Sequence, residues 1–224
     1  MIAATPLSDS IVKLRRLQEA VGSIRKTQLL REFQDDANFR NFLYYALNPM
    51  LTYKISEQTL RSPTRYDSAI TLTMTDIFSV CELLSKRKAL DAGTVYQVCA
   101  FVQSSPPDEA DVYIKLLSKT LRLGVTAKTV NKVIPNLIPE WEVQQAYPID
   151  KYPLKEGTEF WLTQKLNGVR ATYYKGRLYA RSGVPYEGLD HILDALCFDE
   201  EDSYVFDGEL TLREKGSLSD NEAF

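Results

Sequence analysis

The chain has 224 residues, 44% hydrophobic and 25% charged, the balance of an ordinary globular protein, with no run near the roughly eighteen apolar residues that span a bilayer. Three cysteines without CxxC spacing and a single histidine, His191, argue against a disulfide framework, a zinc site or a histidine-based triad, and the N-terminus lacks the charged start and apolar core of a secretory signal. The net charge of -3 hides an asymmetry: residues 1–140 carry 18 Lys/Arg against 14 Asp/Glu, and residues 141–224 carry 9 against 16, which suggests two units with different electrostatic roles.

The first part reads as helices. Ile11, Leu14, Leu17 and Val21 follow helical spacing over 8–22, with Ser8 or Asp9 as the cap and Gly22 as the stop. Ser23 can cap a second helix carrying Ile24, Leu29, Leu30 and Phe33. Helices over 37–47, about 75–89, 92–103 and 108–122 follow, and a polar loop holding Ser62-Pro63 separates the first two of these. Asp108, Glu109 and Asp111 fall in the first turn of the helix over 108–122, where the helix dipole favours acids. Thr126 can cap a last short helix to about Val133. The prediction is an all-helical domain over 1–136, a proline-punctuated linker over 137–153, and a different architecture over 154–224.

Basic residues in the helical part cluster at Arg25-Lys26, Lys86-Arg87-Lys88, Lys115/Lys119/Arg122 and Lys128/Lys132. Such clusters are either the solvated faces of amphipathic helices or phosphate contacts along a duplex, and spacing alone leaves both open.

After the prolines, β signals dominate. Strands are expected over 159–164, 169–174 and 177–181, the last two joined by a Lys175-Gly176 turn. A short helix around 189–196 and a strand pair over 204–212, interrupted at Asp207-Gly208, complete the reading. Locally, Asn167-Gly168 is the strongest two-residue hairpin signal, because both turn positions of that hairpin need φ > 0.

Three short pieces carry the functional signal: Lys165-Leu166-Asn167-Gly168-Val169-Arg170, then Arg181-Ser182-Gly183, then Phe206-Asp207-Gly208-Glu209. Each alone is weak and reads as a turn. In this order, behind a helical domain, they resemble the covalent nucleotidyltransferases, specifically the ATP-dependent DNA ligases. The likeness extends upstream through Leu121-Arg122-Leu123-Gly124-Val125, the run from Asn131 to Pro139, and the stretch from Asn38-Phe39 to Asn48-Pro49 with Tyr53. These look like the helical domain and connecting segment of ligases from T-even-like phages.

The resemblance implies a multidomain α plus α/β protein: a helical DNA-binding domain followed by the first part of a mostly antiparallel-sheet, ATP-grasp-like nucleotidyltransferase domain. It implies ATP and Mg²⁺ as cofactors, nicked double-stranded DNA as partner, no membrane, a monomer, and a cytoplasmic setting in a bacterial or phage-infected cell. The family's roles lie in DNA repair, replication and recombination. Lys165 matches the nucleophile that carries AMP, and its amine must be neutral to attack. Thr163 matches a position that meets adenine, Gly168 one that lets backbone approach the nucleotide, Arg170 one that contacts it, and Glu209 the carboxylate on the ribose. Arg181 and Ser182 match positions on the 5′-phosphate side of the nick. Lys115, Lys119, Arg122, Lys128 and Lys132 are the expected duplex contacts, and no metal ligand is assigned within the chain.

Two departures stand out. Asn167 replaces the motif's usual aspartate, keeping an acceptor and losing a charge. The family's later motifs and its OB-fold domain are also absent, so the expectation is a C-terminally truncated ligase. A non-catalytic DNA-binding module, in which the transferase part is scaffold, is the alternative from a different class. An RNA ligase or capping-type guanylyltransferase is a third, disfavoured by the helical domain.

Overall fold

The computed structural model describes residues 6–62, 74, 76–87, 89–145, 147–161, 165–196 and 205–211. They form two compact units, Met1–Glu140 and Trp141–Phe224.

In the first unit the described helices are α1 (Leu7–Glu19), α2 (Ser23–Phe33), α3 (Ala37–Leu47), α4 (Glu57–Arg61), α5 (Ile77–Ser85), α6 (Ala92–Ser104), α7 (Pro107–Leu117) and α8 (Ala127–Asn131). The apolar stripes expected from the sequence face one core: Leu14, Leu17, Leu30, Phe39, Phe42, Leu43, Leu60, Ile77, Leu84 and Leu116 are fully buried. Phe42 meets Phe78 edge-on, with ring centroids 5.0 Å apart.

A buried polar joint fixes how α1 meets α3. Asp36 caps α3 by accepting from the Phe39 N–H at 3.0 Å, and it also accepts from Ser10 Oγ and from Lys13 Nζ at 2.5 Å. Burial pushes the Asp36 carboxyl up, but Lys13, the Phe39 N–H and Ser10 together hold it below the ordinary aspartate value. The charge is therefore buried with its hydrogen bonds satisfied.

Several boundaries differ from expectation. Helix α1 starts at Leu7 behind Pro6, with no side-chain cap from Ser8 or Asp9. Gly22, at φ 85°, is the N-cap of α2 rather than the end of α1, and Ser23 is already helical. The expected polar loop before Ser62-Pro63 contains the single turn α4, capped by Ser56 accepting from the Thr59 N–H and supported by an Arg61–Glu57 pair at 2.8 Å. Five residues are too short to show a period, so only the cap could have signalled it. Thr126 caps α8 as read. Within the stretch expected to be a linker, Ile138 is buried in the helical core.

The second unit contains β1 (Val169–Tyr174), β2 (Arg177–Ala180), α9 (Asp190–Leu196) and β3 (Phe206–Leu210). The sheet order is β2-β1-β3, antiparallel throughout. Lys175 (φ 47°) and Gly176 (φ 73°) make the β1–β2 hairpin turn, as expected.

Three expectations fail here. Asn167-Gly168 is not a hairpin turn, since neither residue has positive φ and the chain runs straight on into β1. Asp207-Gly208 does not interrupt a strand pair but lies inside β3. Glu159–Trp161 is not strand, and residues 162–164 of that expected strand lie outside the described residues. Sheet pairing overrides the turn chemistry of Asp207-Gly208, which pairs with Thr172 and Ala171, while Asn167-Gly168 leads directly into β1.

Candidate functional site

Alternation along the strands gives the sheet two faces. Ala171, Tyr173 and Leu178 face one side and are covered by Leu189, Ile192, Leu193 and Leu196 from α9 and the turn before it. The opposite face is mixed: Tyr174 and Tyr179 lie there against Trp141, beside the polar side chains of β1 and β3. Register places Arg170 directly across from Glu209 and Thr172 across from Asp207.

Gly168 stands where β1 begins, and its reason is close approach. A Cβ there would lie 2.2 Å from the Leu210 carbonyl oxygen and 2.8 Å from Glu209 Cγ. The neighbour it admits is thus the backbone of β3, whereas the sequence reading assigned that space to a nucleotide. At the far end of β2, Arg181 and Ser182 are exposed in a turn closed by Gly183 at φ 83°. Trp141 lies against that turn, 2.7 Å from where a Gly183 Cβ would sit, and its ring meets Tyr179 at 4.7 Å.

These pieces meet at one opening. Gly168, Val169, Arg170, Ala180, Arg181, Ser182, Tyr186 and Glu209 line a cleft of about 740 Å³. Residues from all three sequence motifs thus share a wall. Lys165 is exposed and precedes Gly168 by three positions, but it is not among the lining residues. Thr163 lies outside the described residues.

Arg170 is more committed than its expected role suggests. Its Nε donates to Asp207 Oδ1 at 2.9 Å, its Nη2 to Asp207 Oδ2 at 2.5 Å, and its Nη1 to the Gln144 carbonyl at 2.5 Å. Thr172 Oγ1 donates to the same carboxylate at 3.1 Å. The Arg170 guanidinium, the largest influence, and the Thr172 hydroxyl hold the Asp207 carboxyl below the usual range against the effect of burial. Glu209, by contrast, makes no hydrogen bond through its carboxylate among the described residues. From the sequence, Asp207 shares the strand segment of Glu209 in a structural role, with no partner indicated. The only hint lay in its spacing two residues before Glu209, which puts both carboxylates on one face of a strand.

The basic clusters of the helical unit divide. Lys115 pairs with Asp111 at 2.6 Å and Lys86 with Glu82 at 2.6 Å, while Arg87 reaches Asp91 and Thr94. Lys26 donates to the Leu17 and Leu123 carbonyls, binding the end of α1 to the chain before Gly124.

Lys119 is the clearest departure from an expected duplex contact. The residue is exposed overall, yet its Nζ turns inward to the Tyr45 and Asn48 carbonyls at 3.2 and 2.8 Å and sits 5.5 Å from the Tyr53 ring centroid. Burial of that ammonium pulls its pKa down to about 8. A long apolar stem can cross the surface while its head serves the interior, which helical spacing does not reveal.

Arg122, Lys128 and Lys132 are exposed. Lys128 and Lys132 line an open groove of about 560 Å³ with Tyr44, Asn131, Asn136 and Glu140. Asn131 holds the groove's shape: its amide donates to the Ile138 carbonyl at 2.8 Å and accepts from the Ile138 N–H at 3.0 Å.

Among the described residues no group of three His, Cys, Asp or Glu could hold a metal ion, and none of the helices is long and apolar enough to cross a membrane.

No family model matches the chain. It is 27% identical over 135 residues, 56% of its length, to the DNA ligase of Enterobacteria phage T4, and equally to that of Enterobacteria phage T6. The match takes in 28% of the length of each of these curated relatives. Solved structures described as Pmar-Lig_PreS3 and Pmar-Lig_Pre. share its fold over 92% of this chain, with TM-scores of 0.58 and 0.57 and identities of 19% and 20%. The chain spans half the length of those two structures.

Proposed function

We propose that the chain is the helical and adenylating part of an ATP-dependent DNA ligase, with Lys165 as the residue that carries AMP. One observation carries the reading: Gly168 and Arg170, Arg181 and Ser182, and Glu209, far apart in sequence, line a single cleft. The likeness to the two phage DNA ligases supports the same reading.

In the proposed reaction the neutral Lys165 amine attacks the α-phosphorus of ATP. A P–N bond forms, the α–β P–O bond breaks, pyrophosphate leaves with the electron pair, and the amine proton passes to solvent. A 5′-phosphate oxygen at a nick then attacks the same phosphorus, breaking the P–N bond as the lysine takes up a proton. The 3′-hydroxyl displaces AMP and closes the strand.

Glu209 would accept from a ribose hydroxyl, and Arg181 with Ser182 would donate to phosphate oxygens at the other end of the cleft. Arg170 serves the site by holding its wall. Such chemistry uses Mg²⁺ to neutralise charge on the phosphates. The described residues do not form a metal site of their own, so no step is assigned to metal ligands of this chain. On the helical unit, Arg122, Lys128 and Lys132 are the proposed phosphate contacts; Lys115 and Lys119 are withdrawn from that set because acidic or carbonyl partners engage them.

Incubation with ATP labelled at the α-phosphate, followed by denaturation, tests the reading. Label that stays on the protein and disappears in Lys165→Ala supports it. Equal labelling of the variant refutes it.

A further inference from the structure

We propose that Asp207 is a positioning residue that keeps the Arg170 guanidinium away from Glu209, so that the Glu209 carboxylate stays open to a hydroxyl of the bound nucleotide; this rests on the nucleotide reading given above. Register makes Glu209 the default partner of Arg170, because directly opposed residues on one face of an antiparallel pair stand closest and opposite charges there attract. The structure shows a different pairing. The guanidinium reaches diagonally to Asp207 in a two-pronged grip, 2.9 Å from Nε and 2.5 Å from Nη2, and its third donor is taken by the Gln144 carbonyl at 2.5 Å. Thr172 holds the Asp207 carboxylate from the side at 3.1 Å. With Nε, Nη1 and Nη2 each engaged, the plane of the guanidinium is set toward Asp207 and Gln144, and Glu209 acts on it through charge without a hydrogen bond.

Without the Asp207 charge the arrangement inverts. The permanently charged guanidinium then has Glu209 as its nearest unengaged anion on that face, and pairing there would occupy the carboxylate that the nucleotide needs. A nucleotide would have to displace the arginine before binding. Asp207 therefore acts on ligand affinity through Arg170 and Glu209, without touching the reacting atoms.

Two measurements on the full chain test this. In ¹⁵N spectra the Arg170 Hε resonance should move in Asp207→Asn, stay in place in Glu209→Gln, and move again when Glu209→Gln is added to Asp207→Asn. If the double variant matches Asp207→Asn alone, Arg170 has not passed to Glu209 and the proposal is wrong. In the labelling assay, Asp207→Asn should raise the KM for ATP about tenfold, the effect of one charge-assisted contact, while changing the maximal rate much less. Asp207→Glu should recover part of the loss. An unchanged KM in Asp207→Asn overturns the proposal. If the wild-type chain takes no label, the nucleotide reading fails, and the Arg170 resonance still decides the pairing. A thermal melt of Asp207→Asn within a few degrees of wild type shows that the fold is intact.

Discussion

Replacing Gly168 with alanine adds one carbon in a place the sheet has already filled. That Cβ would lie 2.2 Å from the Leu210 carbonyl oxygen, 2.8 Å from Glu209 Cγ and 3.0 Å from the Leu210 carbonyl carbon. The glutamate side chain can turn away, but the carbonyl is backbone in the β1–β3 ladder and can retreat only if the strands part. Gly168 is not in the left-handed region, so none of the cost comes from φ; it is steric. Overpacking of this kind costs about 1–3 kcal/mol, and a clash with backbone belongs at the upper end. Gly176→Ala makes the internal control. Its Cβ meets nothing within 4 Å, so only the φ of 73° costs, about 1 kcal/mol. The chain's two tryptophans, Trp141 and Trp161, both lie in the second unit, so urea unfolding followed by tryptophan fluorescence reports that unit alone. The expected result is a lower midpoint for Gly168→Ala than for Gly176→Ala at an unchanged slope. Equal midpoints, or Gly168→Ala within about 0.5 kcal/mol of wild type, would refute the argument that Gly168 exists to admit β3.

Other consequences follow from the helical unit. Asp36→Ala removes a cap and leaves Lys13 and Ser10 without their shared acceptor, so helix unfolding followed by circular dichroism should show a loss of about 2 kcal/mol at pH 7. Because the folded carboxyl titrates below its ordinary 3.8, its contribution is complete above that value and is lost as pH falls through the folded pKa; the gap between wild type and Asp36→Ala should therefore narrow as pH falls below 3.8. A gap that stays constant as pH falls contradicts the assignment. On nicked duplex, Lys128→Ala and Lys132→Ala should each lower the slope of log affinity against log salt by about 1, whereas Lys119→Ala leaves the slope alone and reduces stability. A slope change in Lys119→Ala of the same size would place its ammonium on phosphate rather than on the Tyr45 and Asn48 carbonyls.

What the sequence revealed depended on how local the cause was. The buried faces of α1 and α2 follow from the spacing of Leu14 and Leu30, and a cap such as Thr126 works within three residues of itself. Lys175-Gly176 was legible for the same reason, since both residues take the positive φ that a tight hairpin needs. Asp207-Gly208 misled because its local preference for a turn lost to ladder pairing with β1, and Asn167-Gly168 because Gly168 serves a close approach to the Leu210 backbone. The motif residues were readable as types, and register then brought Arg170 and Glu209 opposite one another. The grip of Asp207 on Arg170 spans 37 positions and depends on a diagonal across two strands, so no spacing rule announces it. Lys119 was misread because charge pattern shows where a stem begins and not where its ammonium ends.

The central claim is that the amine of Lys165 becomes covalently joined to a nucleotide. Peptide mass spectrometry of the protein after incubation with ATP and Mg²⁺, under conditions that preserve P–N bonds, tests it directly. The expected result is an AMP-sized mass increase on the peptide containing Lys165, removed by adding pyrophosphate, which reverses the step. AMP found on a different lysine, or none on any peptide, would contradict it.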